Sequence, residues 1–215
     1  METKDFPIIP KILKNSPFKI NSKTLKNALL SVFDSTAISE TRPELSGIYI
    51  NVGNDKMEFA ATDSFRLSEK IIELREATNK SFILPRNTAV ETIRLMENLD
   101  EDVSLVVSEN QILIFGEDFE LISRLVDGHY PEYKRVIPDK FISLARVNKS
   151  DFEKNVRMAS IFSSTISDIK LRAGKDSMEI TAKNSERGEI VANVACEGKN
   201  KPFEVFTPKQ VDPIK

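Results

Sequence analysis

Residues 48–63 read IYINVGNDKMEFAATD and residues 169–184 read IKLRAGKDSMEITAKN, so the two stretches match without a gap. In each stretch, apolar and polar residues alternate on both sides of a turn that contains glycine and aspartate. This alternation around a short turn predicts a β-hairpin. Upstream, INSKTL at residues 20–25 matches VNKSDF at residues 147–152. Each of these strings predicts the end of a strand, an N-capping residue and the start of a helix.

A third copy of the same order lies between these two. FIL at residues 82–84 predicts a strand, and residues 85–96 predict a helix that begins with proline, a residue favoured at helix N-termini. Three further strands are predicted at residues 103–107, 112–115 and 119–125. The sequence therefore predicts repeated β-α-β-β-β units with antiparallel sheets and one helix per unit, which is the α+β fold class.

The composition limits the classes of function. The chain has 215 residues, of which 40% are hydrophobic, and a net charge of −2, which argues against binding nucleic acid through bulk positive charge. The single cysteine, Cys196, is predicted to be a buried strand thiol, and the single histidine, His129, a solvated turn residue. These residues predict no metal site and no cofactor. No secretory signal or apolar run of ~20 residues is evident, so we expect a cytoplasmic protein without a membrane partner.

Four strings carry a resemblance to a known family: LSGI at residues 45–48, ATDSFRL at 61–67, ILPR at 83–86 and LVDGHYPEYKRVIP at 125–138. Together they resemble the bacterial DNA sliding clamp, the beta subunit of the DNA polymerase III holoenzyme. The resemblance implies the DNA clamp fold, in which domains of two β-α-β-β-β halves form a ring of two subunits around duplex DNA. It implies that residues 1–138 are a complete middle domain and that residues 139–215 are the first half of a truncated C-terminal domain.

The function implied by the resemblance is that of a non-catalytic processivity factor. Its expected partners are duplex DNA, a DNA polymerase, a clamp loader and repair proteins that carry a clamp-binding motif, with a homodimer in the full-length parent. A clamp needs long-range attraction to phosphates rather than base readout. The basic residues expected to face DNA are Lys23, Lys26, Arg86, Arg94, Arg135, Lys149, Lys154 and Arg157. An ordinary solvated helix face is the alternative.

The resemblance also implies a pocket for short peptides that carry a glutamine and apolar or aromatic side chains. The positions that match its lining are Arg42, Leu45, Thr62, Ser64, Phe65, Arg66, Leu67, Pro131 and Val136. The expected apolar floor consists of Leu45, Leu67, Pro131 and Val136, while Thr62 and the backbone of Arg66 would orient the peptide. A core position is the alternative for Leu45 and Leu67. Relatives often have glycine and then histidine or tyrosine where this chain has Ser64 and Phe65, so the rim is expected to differ.

Two other classes of function were weighed. Thr62, Asp63 and Ser64 offer a carboxylate and a hydroxyl, but no group that titrates near neutrality lies close in sequence, and no glycine-rich phosphate loop occurs. Asp63 is therefore expected to be a turn residue. The remaining alternative is a truncated interaction module that binds clamp-binding peptides without encircling DNA.

Overall fold

The computed structural model describes residues 13–38, 41–74, 79–163 and 169–207. The chain forms two compact units, one up to Tyr133 and one from Lys134 onward. The sequence places the domain boundary after Pro138, and the compact units meet slightly earlier. No helix in the described ranges is long and apolar enough to cross a membrane.

The first unit consists of two halves with the same order of elements. The first half comprises β1 (Phe18–Asn21), α1 (Ser22–Phe33), β2 (Gly47–Val52), β3 (Lys56–Thr62) and β4 (Leu67–Glu73). The second half comprises β5 (Lys80–Pro85), α2 (Arg86–Leu95), β6 (Asp102–Val107), β7 (Gln111–Phe115) and β8 (Glu120–Arg124). Both halves are β-α-β-β-β, so the predicted α+β architecture is confirmed.

The two halves exchange their first strands. One antiparallel sheet has the order β4-β3-β2-β5 and the other has the order β1-β6-β7-β8, so each half supplies a strand to the sheet of the other. The exchange depends on a close approach of β2 and β5 at Gly47, which pairs with Pro85. A Cβ atom at Gly47 would lie 2.5 Å from Cγ2 of Ile83 and 2.7 Å from the carbonyl oxygen of Leu84, so only glycine fits there.

One hydrophobic core unites both sheets and both helices of the first unit. Helix α1 begins at Asn21, whose side chain accepts a hydrogen bond from the N–H of Thr24 at 3.3 Å. Such a cap satisfies an N–H group that otherwise has no partner. The helix buries a stripe at helical spacing, formed by Leu25, Ala28, Leu29 and Val32. Burial of each large apolar side chain in this stripe contributes roughly 1.5–3 kcal/mol to folding.

The second unit repeats the order of the first half. It comprises β9 (Ser143–Val147), α3 (Lys149–Ile161), β10 (Ile169–Ala173), β11 (Ser177–Asn184), β12 (Gly188–Asn200) and β13 (Phe203–Thr207). Asn148 caps α3 by accepting from the N–H of Asp151 at 3.2 Å, as Asn21 caps α1. The strands form one sheet with the order β13-β10-β11-β12-β9. The predicted recurrence of the unit after Phe141 is therefore confirmed.

Strand β12 changes partner along its length. It pairs with β11 over residues 188–195 and with β9 over residues 196–200. Near the change, Gly198 crosses residue 174 so closely that a Cβ atom would lie 2.0 Å from the carbonyl oxygen of Gly174. Cys196 lies at the same point as a buried free thiol, as its alternating sequence predicts.

Candidate functional site

The turn between β3 and β4 is held by hydrogen bonds from its own side chains. Oδ1 of Asp63 accepts from the N–H groups of Phe65 at 2.9 Å and Arg66 at 2.8 Å. The hydroxyl of Thr62 donates to the carbonyl of Arg66 at 2.6 Å and accepts from the N–H of Ser64 at 3.1 Å. Asp63 is therefore a turn residue, as expected, and the Thr62 hydroxyl serves the turn itself.

The tip of this turn displays an aromatic side chain to solvent. Ser64 has a φ of +77°, in the left-handed region that glycine adopts readily and other residues adopt at a cost. Phe65 follows it and is 94% exposed. Ser64 therefore stands at a position whose backbone favours glycine. The side chain that follows it, Phe65, points outward.

The side chain of Arg66 connects the turn to the C-terminus of α1. Its Nε donates to Oδ2 of Asp63 at 3.0 Å and its Nη2 donates to the carbonyl of Asp34 at 2.8 Å. Burial raises the pKa of Asp63, but the N–H groups of Arg66 and Phe65 and the Arg66 guanidinium outweigh it, so the pKa lies below its ordinary value. Beside this contact, the hydroxyls of Ser35 and Ser68 lie 2.7 Å apart.

Three tyrosines fix the segment that follows β8. The ring of Tyr130 stacks on Tyr49 of β2 with centroids 5.1 Å apart, and Tyr133 meets both rings edge-on at 6.3 and 6.1 Å. The hydroxyl of Tyr133 donates to Oε1 of Glu69 on β4 at 2.8 Å. Burial raises the pKa of Tyr130 to about 12, and the nearby backbone of Thr62 offsets part of the rise. The segment is therefore anchored on the sheet that carries the turn.

The hydroxyl of Tyr130 is buried and makes no hydrogen bond of normal geometry among the described residues. Burial and the hydrogen bond to Glu69 raise the pKa of Tyr133 as well. Both phenols therefore stay neutral to a higher pH than an ordinary tyrosine does. Aromatic packing, rather than a polar network, holds Tyr130 in place.

Three segments of the first unit converge near the turn. A Cβ atom at Gly128 would lie 3.7 Å from Cβ of Glu44, which places the segment after β8 beside the short 3₁₀ helix Pro43–Leu45. Tyr130 then lies beside the backbone of Thr62. The segment that contains Gly128 and Tyr130 thus lies beside Glu44 at one point and beside Thr62, at the start of the turn, at another.

The predicted pocket residues differ in exposure. Arg42 is exposed and its Nε donates to Oε1 of Glu44 at 3.0 Å, whereas Leu67 and Pro131 are half-buried. Leu45 is only 2% exposed, so it lies in the interior, which is the alternative weighed for it. Val136 belongs to the second unit and is 71% exposed.

The basic residues of the first unit fall into two groups. Lys23 and Lys26 lie on α1, which contains no acidic residue, and Lys23 forms an exposed ion pair with Asp100 at 2.5 Å. Arg94 on α2 is exposed and pairs with Glu91 at 3.0 Å. Surface pairs of this kind contribute little and exchange readily with other anions.

Arg86 lies in a different setting from the other candidates. Its guanidinium stacks over the ring of Phe33 at 4.1 Å, donates to the carbonyl of Phe33 at 3.3 Å and donates to the hydroxyl of Thr36. These partners surround the end of α1, where a cation is stabilised by the helix dipole. These contacts give Arg86 a structural role at the end of α1.

The basic residues of the second unit are at its surface. Lys149 and Lys154 on α3 are exposed, and Nη2 of Arg157 pairs with Oε1 of Glu153 at 2.7 Å. Arg135 is exposed in the short 3₁₀ helix Tyr133–Val136. Within the described ranges, no cluster of three His, Cys, Asp or Glu side chains is arranged to hold a metal ion.

Sequence reasoning missed the tyrosine cluster and the two arginines at the end of α1. The string HYPEY lies inside the longest family-like stretch and contains two of the three tyrosines of the chain. This string identified the segment after β8 as unusual, but it did not indicate that Tyr49 packs against Tyr130 and Tyr133. No pattern in the sequence pointed to Arg66 and Arg86 as partners of the α1 carbonyls.

Comparisons with known proteins agree with this architecture. The family model of the DNA polymerase III beta subunit, central domain, matches residues 19–132. The beta sliding clamp of Staphylococcus epidermidis is 28% identical over 221 residues, an alignment that covers 100% of this chain and 59% of the relative. The chain thus spans little more than half the length of that curated relative.

Solved structures show the same fold. A DNA polymerase sliding clamp from Bacillus subtilis superposes with a TM-score of 0.91 at 26% identity, covering 97% of this chain and 56% of that chain. A sliding clamp from Pseudomonas aeruginosa bound to griselimycin superposes with a TM-score of 0.86 at 23% identity, covering 96% of this chain and 57% of that one. From the family match, the repeated units and these superpositions, we conclude that the chain belongs to the family of bacterial DNA polymerase III beta subunits, the sliding clamps.

Proposed function

We propose that this chain is part of a processivity clamp that encircles and slides on duplex DNA and tethers replication and repair proteins through a peptide-binding pocket. The observation that carries the proposal is the turn at residues 62–67, which holds Phe65 at 94% exposure on a backbone fixed by Asp63. The role is non-catalytic, and in the full-length parent it belongs to a homodimer in the cytoplasm. A DNA polymerase and a clamp loader are the partners that fit it.

The turn suits a peptide because it is already ordered. Binding to a surface that is already ordered costs less conformational entropy than binding that must first order a loop. Phe65, Leu67 and Pro131 are the apolar residues proposed to receive the peptide, and burying a partner's leucine or phenylalanine on them contributes roughly 1.5–3 kcal/mol. In the first unit, the residues proposed to line the pocket are Arg42, Thr62, Ser64, Phe65, Arg66, Leu67 and Pro131, with Leu45 supporting them from the interior; the resemblance also implies Val136.

The DNA-facing role falls to the helices. Helix α1 carries Lys23 and Lys26 and has no acidic residue of its own, and the exposed pair of Lys23 with Asp100 can give way to a phosphate, so the helix attracts DNA at long range without reading bases. On α3, Lys149 and Lys154 present the same chemistry. Arg94, Arg157 and Arg135 complete the proposed set, and Arg86 is left out of it because its guanidinium is engaged at the end of α1.

Two titrations of the 215-residue chain test the proposal. The first measures, by calorimetry, a synthetic peptide with one glutamine and a leucine-phenylalanine pair against the wild type, Leu67→Ala and Val136→Ala. The second measures a labelled duplex at low and moderate salt, with Lys23→Glu and Lys26→Glu as the matched variants. Phosphate-driven binding weakens steeply with salt.

The clamp function predicts that the alanine variants weaken the peptide and that the glutamate variants weaken DNA more than the peptide. Peptide binding without salt-sensitive DNA binding would favour the interaction module that does not encircle DNA. If neither ligand bound the wild type, the proposal would fail. Retention on circular DNA by the full-length parent is the direct test of encirclement.

A further inference from the structure

The turn and helix α1 are joined by one guanidinium. Arg66 donates from Nε to the carboxylate of Asp63 and from Nη2 to the carbonyl of Asp34, the residue that ends α1. Its side chain is only about a quarter exposed (25%) and forms an ion pair with Asp63 at 3.0 Å. The guanidinium is planar and stays charged, so it bridges two acceptors in a fixed geometry.

The same connection recurs in the second unit. DSFR at residues 63–66 aligns with NSER at residues 184–187 when the repeat is continued without a gap. Oδ1 of Asn184 accepts from the N–H groups of Glu186 at 2.9 Å and Arg187 at 3.1 Å. Nη1 of Arg187 then donates at 3.3 Å to the carbonyl of Ile161, the last residue of α3.

The third β-α-β-β-β copy has a different turn. Between β7 and β8 the sequence is GEDF at residues 116–119, without an arginine. That turn is closed by a hydrogen bond from the N–H of Gly116 to the carbonyl of Phe119 at 3.1 Å. An arginine that joins a turn to the end of its helix is thus a feature of two copies and not a requirement of the unit.

Only the Arg66 connection joins the proposed peptide surface to a proposed DNA-facing helix. The turn at residues 62–67 carries Phe65, whereas the corresponding position in the second unit is the charged residue Glu186. The helix at the other end of the Arg66 connection is α1, with Lys23 and Lys26 on it. The hydroxyls of Ser35 and Ser68 lie 2.7 Å apart. They form a second link between the end of α1 and β4, the strand that follows the turn.

We propose that Arg66 couples the peptide surface to the DNA surface, so that a peptide bound at the turn changes the affinity of α1 for duplex DNA. The inference rests on the function proposed above. A peptide that contacts Phe65 acts on the neighbouring Asp63–Arg66 ion pair, and through it on the hydrogen bond from the guanidinium to the Asp34 carbonyl, at the negative end of the α1 dipole. The coupling requires a second arrangement, in which this hydrogen bond is released, and it requires that each ligand favours one of the two arrangements.

Coupling between two binding sites is reciprocal. If peptide changes the affinity for DNA by a given factor, DNA changes the affinity for peptide by the same factor. This equality separates coupling from two independent effects on stability. It also gives two independent measurements of one quantity.

The experiment measures the Kd of a labelled duplex for the 215-residue chain, with and without a saturating synthetic peptide that carries a leucine-phenylalanine pair. We expect the two values to differ by about fivefold in the wild type, the lower end of typical coupling. In Arg66→Gln, at a peptide concentration that calorimetry shows to saturate this variant as well, the ratio should fall to about one, because the bridge to Asp34 is absent. Arg66→Lys keeps the charge but cannot bridge both acceptors in a fixed plane, so an intermediate ratio is expected.

Arg187→Gln is the matched control. It removes the corresponding hydrogen bond in the second unit, and the wild-type ratio should persist. Melting curves of all variants show whether each is folded, and Arg66→Lys carries the test if Arg66→Gln does not fold.

The possible outcomes separate the two proposals. A wild-type ratio of one, with both ligands bound, would overturn the coupling and leave the proposed function standing. An unchanged ratio in both Arg66 variants, or an equal loss in Arg187→Gln, would also overturn it. Absence of peptide binding to the wild type would overturn the proposed function and the coupling together.

Discussion

The turn after β3 and the turn after β11 have one hydrogen-bond framework and two different tips. In both, a side-chain oxygen at the end of the strand accepts from two N–H groups of the turn, and an arginine donates to the carbonyl that ends the helix. The residue with a positive φ, however, is Ser64 in the first turn and Gly188 in the second. The comparison teaches that the repeat preserves the groups that satisfy the backbone of the turn, while the exposed residue at the tip, on which the proposed function rests, differs between the two units.

The two units also differ in how they complete their cores. In the first unit, β1 pairs with β6 of the other half, and two helices share one core. In the described ranges of the second unit, β9 pairs with β12 of its own sheet, and α3 is the single α-helix. Met158 and Ile161 of α3 remain 36% and 59% exposed. Helix α3 therefore leaves more apolar surface accessible than α1, whose large apolar residues are buried or half-buried.

The largest effect is expected from breaking the strand exchange. Gly47→Ala puts a Cβ atom 2.5 Å from Ile83 and 2.7 Å from the backbone oxygen of Leu84, and β2 and β5 must separate. We expect the first unit to lose about 3 kcal/mol of unfolding free energy, measured by urea denaturation. The control is Gly53→Ala, whose Cβ would lie at an ordinary 3.5 Å from Lys56, with a loss of about 0.5 kcal/mol. Equal losses would show that the close approach is unimportant.

The next largest effect distinguishes the tips of the two turns. Phe65→Ala should weaken a leucine-phenylalanine peptide by about tenfold to a hundredfold, because roughly 1.5–3 kcal/mol of apolar burial is lost. Glu186→Ala, at the matched position of the second unit, should leave the peptide affinity unchanged. Calorimetric titration measures both. A similar loss in both variants would place peptide binding elsewhere.

A pH effect should separate the two units. The pKa of Tyr130 is raised to about 12 by burial, so the neutral phenol stabilises the fold below pH 10, the ordinary pKa of tyrosine, and this stability is lost as the pH rises through about 12. All three tyrosines of the chain, Tyr49, Tyr130 and Tyr133, lie in the first unit. The alkaline loss of stability should therefore be confined to that unit and be smaller in Tyr130→Phe.

Hydrogen exchange on samples taken between pH 9 and pH 12, quenched and digested, measures protection in each unit separately. A loss of protection that begins in the second unit would contradict the assignment to Tyr130. The Tyr130→Phe variant controls for lysine deprotonation, which occurs in the same range in both proteins.

The smallest effect concerns the backbone of the first turn. Ser64→Gly should stabilise the chain by about 0.5–1 kcal/mol, because glycine avoids the steric cost of a φ of +77° and loses only part of that gain as conformational entropy. Ser185→Gly is the matched change in the second turn, where the left-handed residue is Gly188. It should leave stability unchanged or slightly lower. Thermal unfolding measures both, and stabilisation by Ser185→Gly would refute the assignment of strain to Ser64.

Much of the fold was predictable because it depends on local patterns. The alternation in residues 48–63 and 169–184 predicted the hairpins β2–β3 and β10–β11, since period two is a property of a strand with one buried face. Asn21 and Asn148 cap their helices through hydrogen bonds to N–H groups three residues along the chain. The helix predicted at residues 85–96 is observed as Arg86–Leu95.

The candidate site was predictable only in part. The family-like strings identified the turn with Phe65 and the segment around Pro131, and the structure places Gly128 of that segment beside Glu44. Leu45, expected in the floor of the pocket, is only 2% exposed, and alternation and family position do not reveal which side of a short 3₁₀ helix faces the core. Arg86, expected to face DNA, has a structural contact with Phe33 that no local pattern indicates.

By itself, the sequence determined the repeated unit, its strands and helices, and the family, because each follows from the spacing of apolar residues, capping residues and turns along the chain. Only the tertiary structure decided that the halves exchange strands, that Arg66 and Arg86 serve the end of α1, and that Tyr49 stacks on Tyr130. The physical reason is that these contacts join residues far apart in the chain, and the long side chains of arginine and tyrosine reach partners that no local periodicity specifies.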